Sequence, residues 1–421
     1  MAKVMSDVDR FGNQYAPGLP YARGRILSTT ADDFTKLKRA WRVIQRRGVD
    51  NVYIFSGLEH GLPLEQEDLP ALSDEIGPAL YFERMREKAL EHLGGDPAVH
   101  DVAVFNRLTG ATIATALVLV KPGDVVLGVS ASHSHPSVSR AVRYAGGTLI
   151  DVSGADAFEA ELARNQRTSL VILTRLAVTY ELLPLKDIER IVSAAHARGI
   201  PVYMDDAGGA RIGPAIFGQP RMLELGVDVG ATGLDKYGTS GPRLGVLAGS
   251  RELVSKIRAR GFEMASEARP LLYPAVFRSL ERYRPERVRA LVDCTKEVAV
   301  HLKGIFGSRV YETPVTAQLL AEDILDLALE RAGAKAAPIV PYEATAALCM
   351  LLLERFGVYT VHFVGVPPGT GDLLIKFIPP ETLARFGGAE KFAQAIDGAL
   401  DELAKIITQE DRVRELLLGP A

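Results

Sequence analysis

Short apolar runs alternate with amphipathic segments through the middle of this 421-residue chain. Between about residues 61 and 292, seven runs rich in apolar and β-branched residues are separated by helical patterns, one of which covers residues 185–198. This alternation is typical of an α/β fold in which helices cover a mostly parallel, seven-stranded sheet. The predicted strands are residues 102–105, 125–129, 148–152, 170–174, 202–204, 229–232 and 245–248.

Residues 1–60 predict an arm followed by one helix, which Thr29 or Thr30 can cap. Apolar residues recur at helical spacing along it, namely Phe34, Leu37, Trp41 and Ile44. Its other face is basic and carries Lys36, Lys38, Arg39, Arg42, Arg46 and Arg47. A basic face is typical of a solvated helix surface, and an RNA- or partner-binding arm is the alternative.

Residues 293–421 predict a smaller C-terminal α+β domain. Strand patterns occur at residues 359–364 and 373–377, and a closing helix is predicted at residues 389–409. Residues 61–292 between the two flanking segments then form the large domain, and the boundary near residue 292 has no linker of unusual composition.

Composition excludes several classes of protein but does not identify a function. Apolar residues make up 47% of the chain and charged residues 24%, which is ordinary for a soluble globular protein. A net charge of −3 gives no argument for a nucleic-acid or membrane-surface partner, and no apolar run is long enough to span a bilayer. The two cysteines, Cys294 and Cys349, form no CxxC pair. We therefore expect a cytoplasmic protein without a thiolate metal site.

Two charged residues follow neighbouring predicted strands. Asp205 ends one apolar run, and Lys236 lies in a glycine-rich loop after the next one, preceded by Thr232. Pyridoxal 5'-phosphate chemistry requires a lysine that forms a Schiff base and a carboxylate that keeps the pyridine nitrogen protonated. We predict that Lys236 and Asp205 supply these groups and that Thr232 contributes to cofactor binding. Asp206 is the alternative carboxylate, although strand alternation points adjacent side chains to opposite faces.

A phosphate site is expected where the strand ending at Phe105 leads into an apolar helix. A helix N-terminus offers unpaired amides and the positive end of the helix dipole, and small residues there let a phosphate approach closely. The predicted phosphate-binding residues are Asn106, Thr109, Gly110 and Ala111. Thr109 can alternatively serve as a simple N-cap.

Two histidines follow the strand that ends at Val129, in the sequence Ser-His-Ser-His-Pro-Ser-Val. An imidazole at this position can stack on a pyridine ring and move protons. We predict this role for His135, with His133 as the alternative. A second hypothesis makes both histidines metal ligands, completed by Asp205 or Asp206.

The order of these residues resembles that of the fold-type I pyridoxal phosphate enzymes, the aspartate aminotransferase superfamily. The resemblance covers residues 60–410 and rests on the loop at Thr109, on His135-Pro136-Ser137-Val138, on Asp205-Asp206-Ala207 and on Lys236. The histidine segment is similar to the ring-stacking motif of several members, which favours His135 over His133. The resemblance implies an active site formed across the interface of at least a homodimer.

The segment GLDKYGTSGPRLG is similar to the lysine segment of selenocysteine synthase, in which an Asp-Lys pair precedes Gly-Pro-x-x-Gly and a helix. Gly241-Pro242-Arg243 also resembles the Gly-Pro-Arg of serine hydroxymethyltransferases, at a slightly longer spacing. Asn106 falls where selenocysteine synthase has an asparagine-rich phosphate loop. These similarities imply a selenocysteine synthase-like protein, although the N-terminal segment is shorter than a full tRNA-binding domain.

The substrate-binding residues are predicted from the geometry of arginine, whose planar fork matches a carboxylate. The predicted residues are Arg175, Arg243 and Arg269. Many aminotransferases carry a substrate arginine in a small-domain strand, where this chain offers Lys376 instead. Cys349 lies within an apolar run and is expected in the core, which argues against a cysteine desulfurase.

The resulting hypothesis is a pyridoxal phosphate-dependent transferase or lyase that acts on a small amino acid or a phosphorylated amino compound. The expected reaction is β-elimination or replacement, or cleavage of the Cα–Cβ bond. An aminotransferase is the alternative enzyme. Two alternatives belong to other classes: a tRNA-associated pyridoxal phosphate-binding protein with little turnover, and a metallohydrolase built on His133, His135 and Asp206.

Overall fold

The computed structural model describes residues 8–420, which divide into two compact units. One unit comprises residues 59–289, and the other joins residues 8–58 to residues 290–420. The N-terminal segment therefore belongs to the same unit as the C-terminal part, whereas the sequence pattern suggests a separate arm. Within the described residues, every helix is too short or too polar to cross a lipid bilayer.

The strands and helices follow one another along both units. The strands, in chain order, are β1 (Tyr53–Phe55), β2 (His100–Phe105), β3 (Val125–Ser130), β4 (Thr148–Ser153), β5 (Thr168–Thr174), β6 (Val202–Asp205), β7 (Val229–Gly233), β8 (Gly245–Ser250), β9 (Val310–Glu312), β10 (Thr316–Leu319), β11 (Val358–Thr360) and β12 (Leu373–Lys376). The α-helices are α1 (Thr30–Arg47), α2 (Ile76–Leu93), α3 (Leu108–Leu119), α4 (Pro136–Tyr144), α5 (Gly154–Arg164), α6 (Leu185–His196), α7 (Gly209–Phe217), α8 (Arg251–Glu263), α9 (Tyr273–Glu281), α10 (Pro285–Phe306), α11 (Ala321–Ala332), α12 (Pro341–Leu351), α13 (Pro380–Phe386), α14 (Ala389–Ala404) and α15 (Glu410–Leu418).

A seven-stranded sheet with the order β2-β8-β7-β6-β5-β3-β4 forms the centre of the unit made of residues 59–289. Strand β8 runs antiparallel to both of its neighbours, and the other neighbouring pairs are parallel. Successive residues of a strand enter two different apolar clusters: Val171 and Leu173 lie in one, Leu170 and Ile172 in the other. Burial of both faces explains the continuous apolar runs, and the sheet contains all seven predicted strands. The predicted fold class is confirmed.

The direction of the strands determines where a site can form. Strands β2 and β7 both run antiparallel to β8, so β2, β3, β5, β6 and β7 all end at the same edge of the sheet. In open α/β sheets, ligands bind outside the carboxyl ends of the strands. The segments that follow these strands carry all of the predicted catalytic residues.

The other unit contains an antiparallel sheet of order β12-β10-β9 and the parallel pair β1 and β11. The strand predicted at residues 359–364 is shorter than expected, because β11 ends at Thr360 and a single 3₁₀ turn covers Val361–Phe363. The closing helix predicted at residues 389–409 ends at Ala404, and α15 begins after it at Glu410. Strands β1, β9 and β10 were not predicted.

Helix α1 begins as its sequence indicates, because the Thr29 hydroxyl accepts a hydrogen bond from the Asp32 N–H. Its buried face differs from the predicted one. Trp41 is 52% exposed, whereas Lys36, expected on the solvated basic face, is only 1% exposed. The Lys36 ammonium lies 3.2 Å from the Tyr342 hydroxyl and 3.6 Å from the Asp33 carboxylate. These buried partners explain how a lysine can occupy an interior helix face.

Candidate active site

Asp205 and Lys236 are distant along the chain, but they follow adjacent strands. Asp205 is the last residue of β6 and pairs in register with Ala231 of the parallel strand β7. Lys236 lies in the loop that begins where β7 ends at Gly233. The two side chains are close enough for the lysine charge to lower the pKa of the carboxyl. The predicted pair thus shares one edge of the sheet.

The Asp205 carboxyl is buried and only partly hydrogen-bonded. The backbone N–H of Ala207 donates to it, but among the described residues its Oδ1 atom has no hydrogen-bond partner. Burial raises the pKa of Asp205 to about 6; the Lys236 charge opposes this shift and the Asp206 charge adds to it. A buried acceptor of this kind is costly unless a donor reaches it. The N–H of a protonated pyridine ring is such a donor, so this site fits pyridoxal phosphate.

The raised pKa of Asp205 gives a pH-dependent prediction for the protein without cofactor. A carboxyl whose pKa is 3.8 when unfolded and about 6 when folded favours the folded state at low pH, and this stability is lost as pH rises towards 6. Between pH 4.5 and pH 7.5, we expect wild type to lose about 2 kcal/mol of unfolding free energy relative to Asp205→Asn. Urea unfolding at both pH values measures this difference. The exposed-residue variant Asp411→Asn is the control, and parallel pH profiles for wild type and Asp205→Asn would contradict the prediction.

Asp206 points away from Asp205 and has a different partner. The Nε atom of Arg175 donates to Asp206 Oδ1 at 3.0 Å, and Nη2 of the same arginine bonds to Oδ2. Arg175 Nη1 also donates to the Pro220 carbonyl at 2.7 Å. Both side chains of the pair are 0% exposed. Arg175 therefore forms a buried ion pair instead of the predicted contact with a substrate. The same pair engages Asp206, which was the alternative to Asp205 as the carboxylate of the site.

Hydrogen bonds within its own loop fix the backbone around Lys236. The Thr239 hydroxyl lies 2.7 Å from the carbonyl oxygens of both Leu234 and Lys236, and the Gly241 N–H donates to the Leu234 carbonyl at 3.0 Å. Gly238 has a φ of 93°, in the region that favours glycine. The glycine-rich sequence of this loop thus permits a tight turn that presents Lys236 at the sheet edge.

Asp235 is a site residue that the sequence reasoning did not single out. Its carboxylate is buried, with Oδ2 at 3.3 Å from His60 Nε2 and 3.5 Å from Arg243 Nε. Burial raises the pKa of Asp235, but the His60 hydrogen bond and the charges of Lys236 and Arg243 outweigh burial and hold it at about 2. The sequence contains a signal for Asp235, because the Asp235-Lys236 pair is part of the segment that resembles the lysine segment of selenocysteine synthase. Arg243, predicted to bind substrate, lies beside this carboxylate.

Thr232 is buried beneath the loop, where its hydroxyl is used within the protein. It donates to the Asp206 carbonyl at 2.9 Å and accepts from Nη1 of Arg211 at 2.6 Å. Arg211, in α7, is fully buried, and burial lowers its pKa. Through these hydrogen bonds, Thr232 connects β7 to the segment that follows β6. Arg211 was not predicted from the sequence.

The predicted phosphate site lies at the start of α3, but its register differs from the prediction. The helix begins at Leu108, and no side chain caps this end. The Gly110 and Ala111 amides both bond to the Arg107 carbonyl, at 2.9 and 3.4 Å, and Ala111 is buried. The first helical amides, those of Leu108 and Thr109, have no partner within the helix and are the groups that fit a phosphate.

The remaining contacts place this helix end near Asp205. The Thr112 hydroxyl, in α3, lies 3.0 Å from the hydroxyl of Tyr203, which points to the same face of β6 as Asp205. The Asn106 side chain donates to the Ala265 carbonyl at 3.3 Å, and the Asn106 N–H donates to the Ser266 carbonyl at 2.9 Å. Asn106 thus anchors the loop, and Ser266 borders the site without having been predicted.

His135 is exposed and forms the N-cap of α4. Its Nδ1 atom accepts a hydrogen bond from the Ser137 N–H at 3.1 Å and lies 2.7 Å from the Ser137 hydroxyl. His133 is partly buried; its Nε2 atom has no hydrogen-bond partner among the described residues, and burial lowers its pKa. The cap fixes the His135 ring and leaves it accessible to a ligand.

In residues 8–420, neither the predicted metal site nor a reactive thiol at Cys349 is supported by the structure. In this range, no group of three or more His, Cys, Asp and Glu side chains is arranged to hold a metal ion, and Asp206 is occupied by Arg175. In the other unit, burial raises the pKa of the Cys349 thiol to about 12. A buried thiol of this kind is unreactive.

Arg269 is the third predicted substrate-binding arginine. Its side chain is 70% exposed and forms an ion pair with Asp74, which also accepts a hydrogen bond from the Leu271 N–H at 3.2 Å. The structure thus gives all three predicted arginines carboxylate partners within the protein. Arg243 is the predicted arginine that the structure brings to the loop of Lys236.

Comparison with known proteins connects this geometry to a family. A family model for aminotransferases of class I and II matches residues 77–386. A UPF0425 pyridoxal phosphate-dependent protein from Methanothermobacter thermautotrophicus is 31% identical over 403 residues, which cover 94% of this chain and 100% of that protein.

Solved structures with low sequence identity show the same fold. The pyridoxamine-pyruvate aminotransferase from Mesorhizobium loti has a TM-score of 0.57 at 16% identity, covering 87% of this chain and 96% of that one. The aspartate aminotransferase from Rhizobium meliloti has a TM-score of 0.58 at 19% identity, covering 87% of this chain and 95% of that one.

Proposed function

Because the chain belongs to the aminotransferase class I and II family and is a pyridoxal phosphate-dependent enzyme, we propose that it acts on a small amino acid or a phosphorylated amino compound. The proposed reaction is β-elimination or replacement, or cleavage of the Cα–Cβ bond, as in the selenocysteine synthase-like group. The observation that carries this proposal is the unpartnered Oδ1 atom of buried Asp205 beside Lys236.

Each residue of the site has a distinct task in this proposal. Pyridoxal phosphate, when bound, supplies an electron sink that weakens the bonds at the α-carbon of an amino substrate. Lys236 would hold the cofactor covalently, and its Nζ atom would take a proton from the substrate or return one to it. Asp205 Oδ1 would accept a hydrogen bond from the ring nitrogen and keep that nitrogen protonated. The Leu108 and Thr109 amides would bind the phosphate, and His135 would pack against the ring.

The arginines support a reaction other than transamination of a dicarboxylic acid. All three predicted carboxylate-binding arginines lie beside carboxylates of the protein, Arg175 beside Asp206, Arg269 beside Asp74 and Arg243 beside Asp235. In the other unit, the strand β12 ends in a buried lysine, Lys376, rather than an arginine.

An aminotransferase is the second candidate function. It is favoured by the match to the aminotransferase family model over residues 77–386. In either reaction, Lys236 Nζ would be the group that takes the α-proton of the substrate. The fold and the site are therefore compatible with both candidate reactions, which are distinguished by their products.

A panel of amino acids and O-phosphorylated amino acids, scored for released ammonia, keto acid and aldehyde, tests the reaction. We expect ammonia with keto acid, or an aldehyde with glycine, from at least one substrate in the absence of an amino acceptor. Keto acid that forms only when a 2-oxo acid is added would instead support the aminotransferase. Absence of every product, together with salt-sensitive tRNA binding that Arg42→Ala weakens, would favour the tRNA-associated alternative.

We also propose that the protein is at least a homodimer. Large apolar side chains are exposed within one short stretch of the unit that carries the site, at Leu62, Leu69, Leu72, Ile76 and Leu80. Exposed apolar surface of this kind is typical of an interface. Sedimentation equilibrium of wild type and of Leu80→Glu tests this proposal, and we expect the variant to dissociate to monomers.

A further inference from the structure

The mechanism above leaves unused the buried carboxylate that directly precedes Lys236. Asp235 is buried, and its Oδ2 atom faces two basic side chains, His60 at 3.3 Å and Arg243 at 3.5 Å. Its carbonyl accepts a hydrogen bond from the Glu59 N–H at 3.0 Å, so the backbone is fixed as well. A buried carboxylate with this many partners is held in one position.

The side chains of Asp235 and Lys236 both lie close to Gly233. A methyl group added at Gly233 would lie 2.8 Å from Asp235 Oδ1 and 3.5 Å from Lys236 Nζ. One carboxylate oxygen therefore faces the basic pair, while the other lies against the same glycine as the lysine nitrogen. The absence of a side chain at residue 233 is what allows this approach.

The charged and titratable groups around Asp235 are mostly cationic. His60, Arg243 and Lys236 surround the carboxylate, Arg211 approaches from α7, and the phenol of Tyr237 lies in the same loop. The His60 hydrogen bond and the charges of Lys236 and Arg243 outweigh burial and hold the pKa of Asp235 at about 2, which keeps the carboxylate ionised throughout the working range of pH.

We propose that Asp235 is a positioning residue for Lys236, because its fixed carboxylate holds Nζ at the edge of β7 and stabilises the protonated form of that nitrogen. This inference rests on the proposed function, in which Nζ carries the cofactor and then the α-proton. A nearby negative charge raises the pH at which such a nitrogen loses its proton. His60, whose side chain is 46% exposed, holds Asp235 from the solvent side.

A pH titration of the visible absorption band of the cofactor-loaded protein tests the proposal. In Asp235→Asn, we expect the pH midpoint of the band to fall by about 1 to 3 units, because an opposite charge has been removed from the nitrogen. His60→Gln should lower the midpoint by a smaller amount. The matched control is His196→Gln, since His196 forms a similar pair with Asp228, at 2.9 Å, and should leave the midpoint unchanged. An unchanged midpoint in Asp235→Asn would overturn the proposal.

Two further measurements keep the test decisive. If Asp235→Asn fails to fold by circular dichroism, the His60→Gln midpoint decides, and an unchanged value overturns the proposal. If wild type develops no visible band with added pyridoxal phosphate, the proposed function fails separately.

Competitive acetylation of the full chain at a series of pH values then measures the protonation of Lys236 Nζ, because only the unprotonated amine reacts. The extent of acetylation is measured by mass spectrometry. We expect Lys236 of Asp235→Asn to react at lower pH than wild type, and identical profiles would overturn the inference.

Discussion

Replacing Asp205 by asparagine should lower turnover about a thousandfold, which corresponds to about 4 kcal/mol of lost transition-state stabilisation. The asparagine side chain occupies nearly the same space, but it is neutral and cannot hold a protonated ring nitrogen as an ion pair. Breaking a buried charge pair typically costs 3 to 5 kcal/mol, which sets the size of the effect. Turnover is measured on the amino substrate that the product panel identifies, with the cofactor present in excess.

The control for this variant is Tyr203→Phe, which changes the same face of β6. It removes the hydroxyl that lies 3.0 Å from Thr112 and leaves every charge in place. Because a single neutral hydrogen bond contributes about 1 kcal/mol, we expect Tyr203→Phe to keep turnover within about tenfold of wild type. Asp205→Asn with wild-type turnover would contradict the role of Asp205, because no other buried carboxylate oxygen of the described residues lacks a hydrogen-bond partner.

Arg175→Ala should lower the free energy of unfolding by about 3 to 5 kcal/mol. The substitution leaves the Asp206 carboxylate buried without its partner, and it also removes the hydrogen bond to the Pro220 carbonyl. Chemical denaturation of the full chain measures the loss.

Arg269→Ala is the matched control, because it also removes an arginine from an ion pair, but one that is mostly exposed. Such pairs contribute at most about 1 kcal/mol, so we expect a correspondingly small change. An Arg175→Ala protein of wild-type stability with a raised KM would contradict the structural assignment and restore the predicted substrate-binding role.

The fold could be predicted because its central strands are buried on both faces. In β5, for example, both sets of alternating residues are apolar, so the run from Leu170 to Leu173 is unmistakable in the sequence. Asp205 and Lys236 were predicted for a related reason. A charged residue that directly follows a buried strand has few structural explanations, and parallel strands bring their carboxyl ends together.

The parts that the sequence did not reveal depend on contacts between distant residues. Arg175 follows a strand just as Asp205 does, and only the structure shows that Asp206 neutralises it. Lys36 looks like a solvated residue until Asp33 and Tyr342 are placed beside it. Short strands such as β9 carry too few residues for a pattern to emerge.

The predicted phosphate site shows how precisely a local sequence pattern can locate the start of a helix. The sequence predicts this site after β2 and assigns Gly110 and Ala111 to the ligand, whereas the helix begins at Leu108 and uses both of their amides. The exact first residue of a helix depends on its cap, which a sequence locates only to within one or two residues.

The most direct test of the central claim is to identify the residue that carries the cofactor. The full-length protein is incubated with pyridoxal phosphate, reduced with borohydride and digested, and the modified peptide is sequenced by mass spectrometry. We predict a yellow protein whose visible band disappears on reduction, a single modification at Lys236, and neither band nor modification in Lys236→Ala. A colourless protein, or a modification at another lysine that survives in Lys236→Ala, would contradict the account.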